Sequence, residues 1–340
     1  MTSRDLVIRT LQHRQVERVP RDLWTLPGTA MFRRDEVDRM LQTFPSDFTP
    51  PKFAYAPGDR EKGTPNVEGE YTDAWGCVWH VARSGVIGEV KQYPLADWSA
   101  LARYKPPYEI LEKSDLGSVN LSCAETSRFV LAGSKVRPFE RMQFLRGSEA
   151  TYIDLAYGSK EIFALVDMLH DFHLRDLRMW ARTDVDGVSF MDDWGSQHSL
   201  LISPHLWRDI FKPLYRDYCA LLHESGKYAF FHSDGNISAI IGDLIEVGID
   251  ALNSQLFCMN IEELGEKHCG RVTFWGEIDR QRILPFGTVD EVRSAVRRVR
   301  RALDRGSGGV IAQCEWGIDD PFENIAAVFD EWVRPLESTD

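Results

Sequence analysis

Five short stretches concentrate the side chains that could do chemistry. They are Met191-Asp192-Asp193-Trp194-Gly195-Ser196-Gln197, His232-Ser233-Asp234-Gly235, Asn253 to Met259, Trp275-Gly276-Glu277-Ile278-Asp279-Arg280, and Gln313-Cys314-Glu315-Trp316. Asp192, Asp193, His232 and Glu277 are of the types that exchange protons with a substrate. Crowded carboxylates raise one another's proton affinity, which favours donation. Trp24, Trp194, Trp275 and Trp316, with Gln197, Asn253 and Gln255, offer flat apolar faces and amide groups that could grip a small ligand. Arg137, Arg141 and Arg146 form a second patch that could hold a carboxylate or phosphate. The bland alternatives are rim packing for the tryptophans, turn formation for Asp234 before Gly235, an Arg280 partner for Glu277, and pairing of the arginines with Glu140, Glu149 or Asp192.

Each stretch follows a short apolar run, so the elements that must position it are strands. Asp22 to Trp24 and Phe48 to Tyr55 read as the first two, the second weakened by its prolines. Phe129 to Ala132, Val188 to Met191, Tyr228 to Phe231, Ala251 to Asn253, Val272 to Trp275 and Gly309 to Ala312 read as the next six. Helical patterns fill the gaps. Ser159 to Met179 carries apolar residues near a period of 3.6. Ser203 with Pro204 begins another helix, and Thr288 with Glu291 a third. Alternating strands and helices predict an α/β TIM (β/α)8 barrel spanning residues 1–340 as one domain, with a β-hairpin near residues 77–91 inserted beside it. In such a barrel, residues just past the strand ends share one mouth. No glycine-rich phosphate fingerprint follows an early strand, which argues against a doubly wound sheet.

The chain has 340 residues, is 43% hydrophobic and carries a formal charge of −12. The basic residues do not form a nucleic-acid footprint; the densest run, Arg297 to Arg305, reads as a solvated helix face. No stretch of about 18–20 apolar residues is available to cross a bilayer. The six cysteines form no CxxC pair and suggest reduced thiols in a cytoplasmic protein. A monomer and a homodimer both suit the acidic surface.

The succession Asp192-Asp193-Trp194-Gly195, Lys227 to Gly235, Trp275 to Asp279 and Pro321-Phe322-Glu323-Asn324 resembles the uroporphyrinogen decarboxylase superfamily over residues 4 to 335. That superfamily includes corrinoid-dependent methyltransferases, which move methyl groups between a cobalamin and a thiol such as coenzyme M. True uroporphyrinogen decarboxylases carry an arginine-rich loop after the first strand. Here Leu23 to Ala30 contains no arginine, so the resemblance leans to the methyltransferase branch. That branch holds zinc through a His-x-Cys pair after strand five and a cysteine after strand eight. The matching positions are His232, Asp234 and Cys314, with Cys258 and Glu277 as further candidate ligands. Zinc and a corrinoid supplied by a partner protein are the cofactors this implies, with a small thiol or methoxylated substrate. Two alternatives stand beside it. One is a metal-independent decarboxylase or lyase acting on a small carboxylate or tetrapyrrole. The other is a non-catalytic barrel that binds a tetrapyrrole or corrinoid. Cys314, in the bland reading, is a small buried filler.

Overall fold

A computed structural model of the chain describes residues 1–334. Its eleven strands are β1 (Arg21–Thr25), β2 (Phe48–Thr49), β3 (Gly69–Thr72), β4 (Val78–Val81), β5 (Glu89–Gln92), β6 (Phe129–Gly133), β7 (Gly187–Met191), β8 (Tyr228–Ser233), β9 (Ala251–Ser254), β10 (Thr273–Trp275) and β11 (Val310–Trp316). Eight of them form one parallel sheet in the order β1-β11-β10-β9-β8-β7-β6-β2. The Asp47 N–H donates to the Arg21 carbonyl at 2.9 Å, which joins the β2 edge to β1. The result is the expected (β/α)8 barrel. The second strand is only two residues long, because Pro50 and Pro51 supply no N–H for a ladder.

The side sheet is larger than the sequence suggested. β3, β4 and β5 make a three-stranded antiparallel sheet, not a single hairpin. Gly69–Thr72 pairs with Val81–Val78, a strand that its polar, glycine-led sequence Gly-Glu-Tyr-Thr hardly announces.

Strand parity decides what enters the barrel. Phe48, Phe129, Phe230, Ala251, Trp275 and Ile311 pack with Val7 and Leu11 into one interior cluster. Helix Ser3–Leu11, capped by a reciprocal Thr2–Asp5 box, supplies the last two and plugs the lower end. The alternate residues face the helices: Ala229, Phe231, Val310, Ala312, Cys314 and Trp316 belong to the outer core. Helix Lys160–Ala181 starts at the Ser159 cap, helix Pro204–Glu224 at Ser203, and helix Val289–Leu303 at a Thr288–Glu291 capping box. No helix among the described residues is long and apolar enough to cross a membrane.

Candidate active site at the barrel mouth

Three acid and imidazole groups meet where β7 and β8 end. Ligand atoms of Asp193, His232 and Asp234 all lie within 4.8 Å of one another. His232 Nε2 stands 3.6 Å from Asp193 Oδ1 and 3.5 Å from Asp234 Oδ1. Parity explains the grouping. His232 and Asp234 share the inward side with Phe230, and β7 places Met191 opposite His232 so that Asp193 follows on the same side. The Asp234 N–H also donates to Asp193 Oδ1 at 2.9 Å, tying the two loops together.

The ring of His232 is oriented from below. Asn253 Nδ2 donates to the Trp275 carbonyl at 2.5 Å and to Gln313 Oε1 at 3.0 Å. Its Oδ1 must therefore face His232 Nδ1, 2.6 Å away. An acceptor there puts the proton on Nδ1 and leaves the Nε2 lone pair aimed at two carboxylates. Such an arrangement calls for a positive charge between the three atoms, either a proton on Nε2 or a cation. Asp234 Oδ1 is buried and has no other hydrogen-bond partner.

A second set of carboxylates adjoins the first. The Arg280 guanidinium bonds to Asp234 through Nη2 and to Glu315 through Nη1, and its Nε lies 3.7 Å from Glu277 Oε1. Glu277 follows Gly276, whose φ of 64° and contact with Gln313 leave no room for a Cβ. Burial pushes the Glu277 carboxyl up to about 8, Arg280 opposing and Asp234 adding to the shift. Its Oε1 also lacks a hydrogen-bond partner. On the other flank, burial raises the Glu140 carboxyl, Arg137 opposes, and the charge of Asp193 raises it further. Trp24 closes the floor, its ring centroid 5.3 Å from that of His232. Asp22 fixes it by accepting from the indoles of Trp24 at 2.9 Å and Trp275 at 3.0 Å.

Several expected residues sit elsewhere. Cys314 is the main correction: it points from β11 into the helical layer and is fully buried, so it does not join His232. Burial holds its thiol well above the usual range. The inward residue of that strand end is Glu315, one position on, which sequence reading passed over for the cysteine. Asp192 is buried beneath the mouth. It accepts from the N–H groups of Phe139 and Glu140 at 2.9 and 2.8 Å and from the Tyr215 hydroxyl at 2.8 Å, anchoring helix Pro138–Arg146. Trp194 stacks on Phe139 in the outer core, and Trp316 is buried there with its N–H on the Asp320 carbonyl. Trp275 is inside the barrel. Arg141 pairs with Asp73 at 3.0 Å and Arg146 with Asp154 at 2.9 Å, partners far away in sequence or in the next helix. Only Arg137 of that patch reaches the mouth, against the Met191 sulfur. Cys258, Gln197 and Gln255 line a cavity of about 290 Å³ with Glu277 and Arg280, beside the triad and outside it. The neighbouring acids raise the Cys258 thiol, after burial as the first cause.

A parallel barrel with an acidic, histidine-centred mouth defines an enzyme-like architecture of the TIM class. The chain belongs to the uroporphyrinogen decarboxylase family: the family described as "Uroporphyrinogen decarboxylase (URO-D)" matches residues 72–334. No curated protein matches the sequence. Among solved structures, a methyltransferase from Methanosarcina mazei aligns over 98% of this chain and 98% of its own, with a TM-score of 0.67 and 15% identity. That likeness is one of fold. A D-psicose 3-epimerase solved with D-fructose aligns over 69% of this chain and 81% of its own, with a TM-score of 0.35 and 11% identity.

Proposed function

We propose that this chain is a metal-dependent methyltransferase in which Asp193, His232 and Asp234 hold a divalent cation at the barrel mouth. The observation that carries the reading is the His232 Nε2 lone pair set between two carboxylates at 3.5–3.6 Å. One imidazole and two carboxylates are competent ligands for zinc, and this oxygen-rich set also suits iron or manganese. A bound cation would supply Lewis acidity, either lowering the pKa of an acceptor thiol or polarising the oxygen of a methoxylated donor.

The residues around the triad have separate tasks in this reading. Asn253 fixes the His232 tautomer. Glu277, neutral near pH 7, can give a proton to a leaving oxygen. Arg280 keeps Asp234, Glu277 and Glu315 apart from one another while neutralising part of their charge. Trp24 presents an apolar face beside the reacting group. A corrinoid protein, if it is the methyl carrier, would dock over the strand ends, where the mouth opens. The fold likeness to the Methanosarcina methyltransferase is compatible with this reading.

The raised Glu277 carboxyl favours one second reading, a decarboxylase or lyase in which Glu277 protonates a carbanion without any metal. Zinc-supplemented protein incubated with methylcobalamin and a panel of small thiols separates the two. Methyl transfer is read as loss of the methylcobalamin absorbance and is expected to vanish with a chelator. Chelator-insensitive release of carbon dioxide from a carboxylate substrate, with no methyl transfer, would overturn the methyltransferase reading.

A further inference from the structure

Between the barrel rim and the side sheet lies a cleft of about 400 Å³ lined by Tyr55, Glu61, Trp75, Lys135 and Arg141, among others. It flanks the mouth on the β6 side, across from Arg280 and Glu277. Lys135 and Arg141 line it, and Arg137, two residues after Lys135 in the segment that follows β6, stands beside it at the mouth against Met191. The Lys135 ammonium lies 4.5 Å from the centre of the Tyr55 ring, and no carboxylate among the described residues comes within ion-pair distance of it. Arg137 has only Glu140, at 3.8 Å, and otherwise rests on Met191. Arg141 is held by Asp73, yet its Nε is buried without a partner.

The segment is rigidly placed. The Lys135 N–H donates to Asp176 Oδ2 at 2.6 Å, and Asp176 in turn accepts from the Tyr55 hydroxyl at 2.7 Å. The Ser134 N–H bonds to the Ser189 carbonyl at 2.9 Å, running the segment along β7. Between cleft and mouth the surface is low: a Cβ added at Gly133 would meet nothing within 4 Å. Met191, which Arg137 touches, is the register partner of His232. The open ground above Gly133 thus connects the cations to the triad.

From this geometry we infer that Lys135 and Arg137 form an anion subsite, which seats the carboxylate or phosphate group of a small substrate while its reacting end lies at Asp193, His232 and Asp234. Only the second half of that statement rests on the proposed function; the anion subsite stands on its own geometry. The donors themselves are incompletely used: Lys135 makes no ion pair among the described residues, the Arg137–Glu140 pair is long at 3.8 Å, and the buried Arg141 Nε has no partner, so an anion's oxygens would find free N–H groups there. Burial of the ammonium lowers the lysine's pKa, the charge of Asp176 opposes this, and Arg141 and Arg137 lower it further. A charged ligand oxygen would give the part-buried ammonium and the neighbouring guanidinium charge-assisted hydrogen bonds.

The test uses the full chain, freed of metal with a chelator, titrated calorimetrically with inorganic phosphate and separately with succinate. Saturable binding of at least one is expected, and which of them binds tells phosphate from carboxylate. The double substitution Lys135→Gln with Arg137→Gln should weaken it about tenfold or more. Glu61→Gln, which removes a negative charge from the lining of the same cleft, should tighten it, a gain that misfolding does not produce. Lys160→Gln, on a side chain 91% exposed elsewhere, should leave it unchanged. No saturable binding of either anion in the millimolar range overturns the inference. So does a double variant that binds as the parent does, or a Lys160→Gln variant that loses as much. His232→Gln should keep anion binding while losing the metal, so failure of the methyltransferase reading leaves this result intact.

Discussion

Asn253 determines which nitrogen of His232 faces the mouth, because its own amide is already committed to the Trp275 carbonyl and Gln313. Asn253→Ala should therefore weaken divalent-cation binding by about 10–100-fold without removing any ligand. Calorimetric titration with zinc checks this, and an unchanged affinity would mean the ring is held by something else. Glu277 gives a pH signature. Its carboxyl sits at about 8 in the fold against an ordinary 4.5. The folded state then binds more protons than the unfolded state between those values, so stability falls as pH rises from 4.5 to about 8. Glu277→Gln should flatten that decline in metal-free protein, measured as the urea midpoint against pH. Parallel profiles for the two proteins would show that the Glu277 carboxyl is ionised in the fold. The clustering of His232 and Asp234 was legible from their spacing of two on an extended segment. The side taken by Cys314 follows from the alternation Ala312-Gln313-Cys314-Glu315-Trp316, in which the polar Gln313 and Glu315 mark the inward face; the match to a zinc-binding cysteine pointed the other way.

Helix Pro138–Arg146 shows how an element inherits its place from one side chain. Asp192 takes the first free N–H groups of that helix and a tyrosine hydroxyl, all in a buried setting. The sequence offered Asp192-Asp193 as a pair of equal acids. Adjacent residues of a strand end point to opposite sides, so one became an anchor and the other faced the mouth. Asp192→Asn keeps the volume but weakens the acceptor, and should cost about 1–3 kcal/mol of stability. Chemical denaturation measures that loss. Cation binding should survive it, since Asp193 and His232 are held by other bonds. The arginine patch on the same helix was visible as a charge cluster. Of its partners, Glu140 beside Arg137 was legible, whereas Asp73, the partner of Arg141, was not, because it follows the first strand of the side sheet, which has little apolar pattern of its own.

At the level of the whole molecule, the barrel follows from eight apolar runs separated by capped helices, and all eight strands lie where those runs place them. What the pattern did not carry was the short β2, cut off by two prolines, and the division of labour at the mouth, which depends on parity and on distant partners such as Glu315. The mouth gathers Asp193, Asp234, Glu277 and Glu315 around one histidine and one arginine, an excess of negative charge that a divalent cation would balance. The central claim is that this cation is held by Asp193, His232 and Asp234. Chelator-treated protein titrated with zinc, iron(II) or manganese(II) tests it most directly. One equivalent per chain is predicted for at least one of these metals, with a thermal stabilisation that grows with free metal and reaches about 2.7 kcal/mol at a hundredfold excess over Kd. Asp193→Asn with Asp234→Asn should abolish it, and Cys314→Ser should leave it in place. Uptake below about 0.1 equivalent of every metal, or binding that persists in the double variant and disappears with Cys314→Ser, would contradict the account.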